Sequence, residues 1–256
     1  RAGLVLAQAD LVAAEDTRRT RKILSRLGVR TRLVSYREEN QARAGARLIE
    51  ALQAGQDVAL ATDAGTPALS DPGHRLVRAA HAAGIEVVAV PGPSALAAAL
   101  SVSGLPSDRF FFGGFPPAQK GPRQRFFEAW AGLGETLVFY EAPHRLAASL
   151  EAMSLALGPR EAVLCRELTK INEEVRFSTL AELAAWAQEA RVKGEVTLVI
   201  AGASEKARPP EPEVIRQVWR EKRHQGLSPS QAAREAARHL GLPRAYVYRV
   251  ALDDEP

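Results

Sequence analysis

Cysteine is almost absent from this sequence of 256 residues: Cys165 is the only one. The chain therefore can form neither an internal disulfide nor a metal site built from several cysteines. Apolar runs are short, since none approaches the roughly 20 residues that a membrane-spanning helix needs. No secretory signal peptide is recognisable either. We therefore expect a cytoplasmic protein that does not enter a membrane.

Several common catalytic motifs are also missing. No Gly-rich run ends in Gly-Lys-Ser/Thr, which argues against a P-loop nucleoside triphosphatase, and no dinucleotide-binding fingerprint is present. The spacing of His74, His81 and His144 matches no recognisable metal site. Ser35 and Ser94 lack the context of a nucleophile elbow. These absences favour an enzyme whose co-substrate carries the reactive group.

Positive charge is moderate in total but concentrated along the chain. The formal net charge is +4, and the basic residues are mostly arginines. The clusters are Arg18, Arg19, Arg21, Lys22, Arg26, Arg30 and Arg32, then 120–125, and finally 216–223. The planar guanidinium pairs with phosphate oxygens at two points. A solvated helix face would explain any one cluster, whereas three together favour a polyanionic partner.

The first half alternates strand and helix patterns, which is typical of a parallel sheet with crossover helices. The predicted strands are 10–14, 32–35, 58–61 and 86–90. The predicted helices are 16–28, 42–54, 73–83 and 95–101. In the first helix, Asp16 is the predicted N-cap and Ile23, Leu24 and Leu27 form the predicted buried face.

The second half repeats this alternation after a segment, 104–122, that is rich in Gly, Pro and Phe. Strands are predicted at 136–140, 162–166 and 196–201, with an edge strand at 176–178. Helices are predicted at 123–131, 145–157 and 180–191. The whole pattern predicts an α/β protein with domains 1–112 and 113–203, followed by a linker and helical tail at 204–256.

The tail contains a charged, proline-bearing linker, 203–213, and three helical patterns. The helices are predicted at 213–225, 230–240 and 244–251. A short turn between the last two resembles a helix-turn-helix unit. Two interpretations stay open: a nucleic-acid-binding module, or a three-helix cap on the main body.

Polar motifs follow directly on several predicted strands. The densest is the Asp63–Pro67 loop, in which Gly65 permits backbone angles closed to other residues. The others begin at Glu15, Pro91, Tyr140 and Arg166. Because ligands of open α/β sheets bind at the carboxyl ends of strands, these motifs predict a ligand cleft between two α/β domains.

The order and identity of these motifs resemble one family. They are Glu15-Asp-Thr-Arg-Arg-Thr-Arg-Lys22, Thr62-Asp-Ala-Gly-Thr-Pro67, Ser70-Asp-Pro-Gly73, Pro91-Gly-Pro-Ser-Ala95, Ser103-Gly-Leu-Pro106, Phe139-Tyr-Glu-Ala-Pro-His-Arg145 and Cys165-Arg-Glu-Leu-Thr-Lys170. The chain is similar to the RsmI-type ribose 2′-O-methyltransferases of small-subunit ribosomal RNA, a branch of the tetrapyrrole methylases (class III). The resemblance covers essentially the whole chain.

The resemblance implies S-adenosylmethionine (SAM) in the interdomain cleft, a homodimer, and a cytidine ribose of the decoding centre as the target. The substrate would be ribosomal RNA or the assembled small subunit. The residues it assigns to SAM binding are Asp63, Gly65, Thr66, Pro67, Ser94, Ala95, Tyr140, Arg166, Val196 and Thr197. It assigns no metal.

Members of the family carry a further strand and a Thr-Pro-Ile-Gly-Asn-Leu loop ahead of the region that starts here at Ala2. We therefore expect this sequence to lack part of the first domain and of the cleft. Three alternatives stay open: a tetrapyrrole methyltransferase, a non-catalytic RNA-binding factor of ribosome assembly, and a 2′-O-methyltransferase for another RNA.

A ribose 2′-hydroxyl is a very weak acid, so a base or a cation beside the developing alkoxide would help the reaction. The candidate bases are Glu141 and Glu167, and the candidate cations are Lys170 and Arg145. Structural ion pairs are an equally good interpretation of each. The candidate RNA-binding residues are Asp16, Arg18, Arg19, Arg21, Lys22, Lys120 and Arg123.

Overall fold

A computed structural model describes residues 1–203, 211–240, 242 and 244–252. The chain separates into two compact units, Arg1–Ser101 and Val102–Pro256. The predicted boundary at 112/113 falls after the strand Phe110–Phe112, whereas this strand pairs within the second unit. The sequence pattern did not predict this strand, because it lies within the Gly- and Pro-rich segment 104–122 and only three consecutive phenylalanines indicate it.

The first unit contains a three-stranded parallel sheet with the order β2-β1-β3. The strands are β1 (Leu11–Ala14), β2 (Arg32–Ser35) and β3 (Val58–Ala61), as predicted. All four residues of β1 are buried, since it is the central strand. The helices are α1 (Ala2–Gln8), α2 (Thr17–Arg26), α3 (Gln41–Gln53), α4 (His74–Ala82) and α5 (Ala95–Ser103), which ends just past the unit boundary.

Two predictions for this unit are wrong. Residues 86–90 form no strand, because no described strand pairs with them, and Val88 is 60% exposed. A strand requires a hydrogen-bonding neighbour as well as an apolar sequence. On α2 only Leu24 of the predicted apolar face is buried; Ile23 and Leu27 are about half exposed, at 50% and 51%.

The second unit contains a five-stranded mixed sheet with the order β4-β5-β8-β6-β7. Its strands are β4 (Phe110–Phe112), β5 (Thr136–Glu141), β6 (Glu161–Arg166), β7 (Glu174–Thr179) and β8 (Val196–Ile200). Only β4 and β5 are parallel. The helices α6 (Lys120–Glu128), α7 (Leu146–Leu157) and α8 (Leu180–Glu189) supply apolar faces to a core that includes Phe139, Leu164 and Leu198.

The tail forms three helices, α9 (Pro212–His224), α10 (Pro229–Leu240) and α11 (Arg244–Leu252), close to the predicted bounds. They have a hydrophobic core of their own, in which Ile215 and Trp219 pack with alanines of α10 and with Val247. Most of the predicted linker, 204–210, lies outside the described residues.

Candidate active site

A groove of about 620 Å³ lies at the carboxyl ends of the three parallel strands of the first unit. Glu15 and Asp16 follow β1, Arg37 follows β2 and Asp63 follows β3. The groove is lined by Glu15, Asp16, Arg18, Arg37, Glu38, Glu39, Asp63, Ala68, Ser70, Asp71, Pro72 and His74. Its position is the one at which parallel α/β sheets bind ligands.

Reciprocal hydrogen bonds fix the loops after β1 and β3 to each other. The backbone N–H of Asp16 donates to Oδ1 of Asp63 at 3.1 Å, and the N–H of Asp63 donates to Oε2 of Glu15 at 3.2 Å. Nη1 of Arg19 lies 3.2 Å from Oδ2 of Asp63. The two loops that line the groove are therefore held in fixed positions relative to each other.

Asp16 also begins helix α2, as predicted. Its Oδ1 accepts a hydrogen bond from the backbone N–H of Arg18 at 2.8 Å, and the Arg18 guanidinium pairs with the same carboxylate. These hydrogen bonds from Arg18 hold the pKa of the Asp16 carboxyl far below its usual value. Asp16 is therefore ionised at neutral pH and oriented by its neighbours.

The loop from β3 to α4 has unusual backbone angles. Gly65, Ala68 and Ser70 have φ values of 71°, 69° and 62°, in the left-handed region that non-glycine residues rarely adopt. Gly73 has a φ of 154°, and a Cβ there would lie 2.9 Å from Cδ2 of Leu60 and 3.1 Å from Cβ of Ala68. Such strain persists only where the surrounding structure enforces it, and it clusters at ligand sites.

We expect Gly73→Ala to destabilise the protein, because the new methyl group collides with Leu60 and Ala68. The expected loss in free energy of unfolding is about 1–3 kcal/mol. Urea denaturation measures it, with Gly132→Ala as the matched control, since a Cβ at Gly132 meets nothing within 4 Å. Equal stabilities of the two variants would refute the steric role of Gly73.

In the second unit, Glu141 is a buried structural anchor. Its side chain is 0% exposed, and Nε of Arg145 lies 3.1 Å from its Oε1. Ser149 donates a short hydrogen bond to Oε2, and the backbone N–H of Ala142 donates to Oε1 at 2.7 Å. Arg145 also donates to the carbonyl of Pro116. These contacts favour the interpretation of Glu141 and Arg145 as a structural ion pair, while their roles as general base and stabilising cation stay predictions.

Lys170 is the most accessible of the four candidate catalytic residues, with 43% of its side chain exposed. Its Nζ lies 2.8 Å from Oε1 of Glu167 and 3.2 Å from Oε2 of Glu195. The hydrogen bond from Lys170, helped by the backbone N–H of Glu195, lowers the pKa of Glu167. The carboxylates of Glu167 and Glu195 raise the pKa of Lys170. Glu167 is therefore a poor base, and Lys170 stays a cation.

The backbone around Glu167 keeps this arrangement in place. Glu167 has a φ of 50° and Thr169 a φ of 69°. A Cβ at Gly194 would collide with the Glu167 carboxylate, so only glycine allows the segment before β8 to approach it. The loop after β6 thus holds a preformed carboxylate–ammonium pair.

The strand register of the second sheet places several predicted SAM-binding residues side by side. Tyr140 pairs with Thr197 across β5 and β8, and Arg166 pairs with Val196 across β6 and β8. Val196 and Thr197 are both 3% exposed. Arg166 is held by Glu174, with 2.9 Å between Nη2 and Oε2. Tyr140 packs against the ring of Phe112.

The remaining predicted SAM-binding residues lie in the first unit. Gly65, Thr66 and Pro67 belong to the loop that contains Asp63, and Ser94 and Ala95 lie at the start of α5. Arg37, which no motif singled out, donates from Nε to the carbonyl of Glu15 at 3.0 Å. Its position two residues after the end of β2 is the sequence signal for a place in the groove.

The predicted RNA-binding residues fall into two groups. Arg18, Arg19, Arg21 and Lys22 are exposed on α2, and Lys120 is exposed at the start of α6. Arg123, in contrast, is 6% exposed and donates to the carbonyl of Ala118 at 3.1 Å. This hydrogen bond gives Arg123 a local structural role, and its contact with RNA stays a prediction.

The described part of the chain holds no cluster of His, Cys, Asp and Glu suited to a metal ion. Among the same residues, no helix is long and apolar enough to cross a membrane.

This chain shares its fold, with a groove at the carboxyl ends of a parallel sheet and a mixed α/β unit after it, with several solved enzymes. Solved structures with this fold include a diphthine synthase (TM-score 0.62, 17% identity, 79% of this chain and 83% of that chain). Another is the methyltransferase CobJ (TM-score 0.57, 19% identity, 78% and 86%). A third is a uroporphyrin-III C-methyltransferase from Thermus thermophilus complexed with S-adenosylhomocysteine (TM-score 0.54, 20% identity, 78% and 89%).

Sequence similarity identifies the family to which the chain belongs. Residues 1–184 match the Tetrapyrrole (Corrin/Porphyrin) Methylases, and residues 221–255 match the RsmI C-terminal HTH domain. Proteins named Ribosomal RNA small subunit methyltransferase I are 43% identical in Halalkalibacterium halodurans, over 98% of this chain and 88% of the relative. The identity is 48% in Mesorhizobium japonicum, over 97% and 84%. The chain belongs to this family of SAM-dependent tetrapyrrole-type methylases, in the branch of the small subunit methyltransferases I.

Proposed function

We propose that this protein transfers the methyl group of SAM to the ribose 2′-hydroxyl of a cytidine in the decoding centre of small-subunit ribosomal RNA. The observation that carries the proposal is the identity of 43% and 48% to relatives named Ribosomal RNA small subunit methyltransferase I, over nearly the whole chain. The 2′-hydroxyl, the cytidine and the decoding centre rest on the motif resemblance.

The residues present fit SAM. The ligand carries an ammonium, a carboxylate and hydroxyl groups, so its site needs both donors and acceptors. The loop after β3 offers the half-buried Asp63, the hydroxyl of Thr66 and backbone groups at Gly65 that no side chain covers. In the second unit, Thr197 is a buried hydroxyl beside Tyr140. We assign these residues to cofactor binding.

The sulfonium of SAM supplies an already activated methyl group, so the protein mainly needs to position the ribose and stabilise charge. The 2′-oxygen forms a bond to the methyl carbon as the carbon–sulfur bond breaks, and the hydroxyl proton passes to solvent. Lys170 is the residue we assign to the developing alkoxide, since it is a retained cation and is 43% exposed. Glu167 acts as a positioning residue that orients the ammonium group of Lys170.

We assign the exposed basic face of α2 to RNA phosphates. Replacing both Arg21 and Lys22 with glutamine should weaken RNA binding and reduce its dependence on salt. The slope of log affinity against log salt should fall by about 1.4–1.8 in magnitude, at roughly 0.7–0.9 per lost phosphate contact. Filter binding at a series of KCl concentrations measures both quantities.

The matched control replaces Arg43 and Arg47, which are exposed on α3, with glutamine. It removes the same charge from another helix, so a site-specific contact predicts an unchanged slope. Equal slopes for both double variants would mean that α2 acts only through net charge.

A direct test of the function offers labelled SAM with unmodified small ribosomal subunits, and separately with uroporphyrinogen III. The proposal predicts label in the RNA alone. Label in the tetrapyrrole would support the tetrapyrrole alternative, and RNA binding without label would support an assembly factor.

The proposed homodimer should sediment with twice the 27.6 kDa mass of one chain, and the mass of a monomer would refute it.

A further inference from the structure

All three C-terminal helices carry excess positive charge. The helices α10 and α11 expose Arg234, Arg238, Arg244 and Arg249, and the only acidic residue described in either helix is Glu235. On α9, two of the four Lys and Arg residues pair with Glu213, with 3.0 Å and 3.4 Å between the charged atoms. The α10 and α11 side of this unit therefore carries excess positive charge that the described side chains do not balance.

These arginines form a continuous surface. Ser230, Arg234 and Arg238 follow one another at intervals of four residues, so they lie on one face of α10. Arg244 and Tyr248 have the same spacing on α11. The two rows meet where Nη2 of Arg244 donates to Oγ of Ser230 at 2.6 Å. We call Arg234, Arg238, Arg244 and Tyr248 the α10–α11 surface.

A packed core gives this surface a fixed shape. Four alanines of α10, at 232, 233, 236 and 237, are buried, which allows α9 and α11 to approach closely. The indole N–H of Trp219 donates to the carbonyl of Pro229 at 3.3 Å and ties α9 to the start of α10. The arginines therefore project from a rigid helical unit, although none of them is needed for its core.

The surface combines two features with which proteins bind nucleic acids. Guanidinium groups pair with phosphate oxygens, and Arg238, whose partner Glu235 lies at 3.4 Å on the surface, can exchange that weak pair for a phosphate. Tyr248 is 37% exposed one turn from Arg244, and an exposed aromatic ring beside arginines is a stacking platform for an unpaired base. A protein partner would have to supply acidic groups for every arginine; RNA does so with its backbone.

We propose that the α10–α11 surface is a second RNA-binding site, which grips phosphates of the ribosomal RNA substrate and stacks one unpaired base on Tyr248. This inference rests on the proposed function, since it identifies the RNA as the methylation substrate. The surface supplies affinity and register, and it contributes no group to the chemistry at the methyl-transfer site.

The test uses the full chain and two probes: unmodified small ribosomal subunits and the same ribosomal RNA stripped of protein. Arg234→Gln/Arg244→Gln should raise the Kd for both probes by on the order of 10-fold and lower the salt slope by about 1.4–1.8. Tyr248→Ala should raise the Kd by about 5- to 100-fold, as expected for one lost stacked base, with little change in salt slope. In methyl transfer, both variants should raise KM for RNA and leave kcat unchanged.

Arg43→Gln/Arg47→Gln is the matched control, because both arginines are exposed on α3 and the variant removes the same charge. It should leave Kd and KM unchanged, and circular dichroism should show that all variants fold. Unchanged Kd and salt slope in the α10–α11 variants would overturn the inference. So would a loss of affinity for subunits alone, which would indicate a ribosomal protein. If wild-type protein binds RNA through this surface but transfers no methyl group, the proposed function fails and the RNA site stands.

Discussion

Lys170→Met should lower kcat by about 100- to 1,000-fold and change KM for RNA little, since a donor to developing negative charge acts mainly in the transition state. The raised pKa of Lys170 keeps the ammonium charged over the working range of pH, and its contacts with Glu167 and Glu195 aim it. Single-turnover transfer of labelled methyl at saturating SAM and RNA measures this effect.

Two further variants separate catalysis from folding. Lys170→Arg retains the charge and should restore part of the rate. Lys193→Met removes an exposed lysine close to the same loop and should keep the wild-type kcat. If Lys170→Met turns over at the wild-type rate while remaining folded, Lys170 has no role in stabilising the alkoxide.

Glu141→Ala should destabilise the protein by about 3–5 kcal/mol, because it removes one partner of a buried ion pair and leaves Arg145 without its carboxylate. The side chain of Glu141 is 0% exposed and that of Arg145 is 22% exposed. Ser149 also loses its acceptor. Urea denaturation followed by tryptophan fluorescence gives the change in free energy of unfolding.

Activity distinguishes the structural role of Glu141 from a catalytic one. Under conditions where Glu141→Ala is folded, kcat should stay within a few-fold of wild type, since the carboxylate does not reach solvent. Glu161→Ala, at an exposed position in β6, is the control and should change neither quantity. A stable variant with a large loss of kcat would restore Glu141 as the base.

Local patterns predicted most of the secondary structure. The strands of the first sheet and the three C-terminal helices were found close to their observed bounds, because short apolar runs and amphipathic spacing depend on adjacent residues. The errors occurred where contacts with residues far apart in the sequence determine the local structure or burial. Residues 86–90 have a strand-like sequence without a described neighbour, and Ile23 and Leu27 satisfy a helical pattern yet lie half exposed.

The sequence predicted which segments belong to the candidate site better than it predicted what each residue does there. Motifs at strand ends located the Asp63 loop, since the parallel strands of the first unit bring their carboxyl ends together. The motif that follows β6 contained the Glu167–Lys170 pair. These motifs did not reveal that Glu141 is buried or that Arg123 bonds to a local carbonyl. Burial depends on α6, α7 and the sheet together, which no short motif records.

The most direct test of the central claim is the chemical form of the transferred methyl group. Unmodified small subunits would be labelled with methyl-labelled SAM, and their RNA then hydrolysed in alkali. A 2′-O-methyl group blocks cleavage of the adjacent linkage, so methylation of the cytidine ribose should place the label in an alkali-resistant dinucleotide that begins with cytidine. Label in mononucleotides would show methylation of a base and contradict the mechanism proposed for this protein.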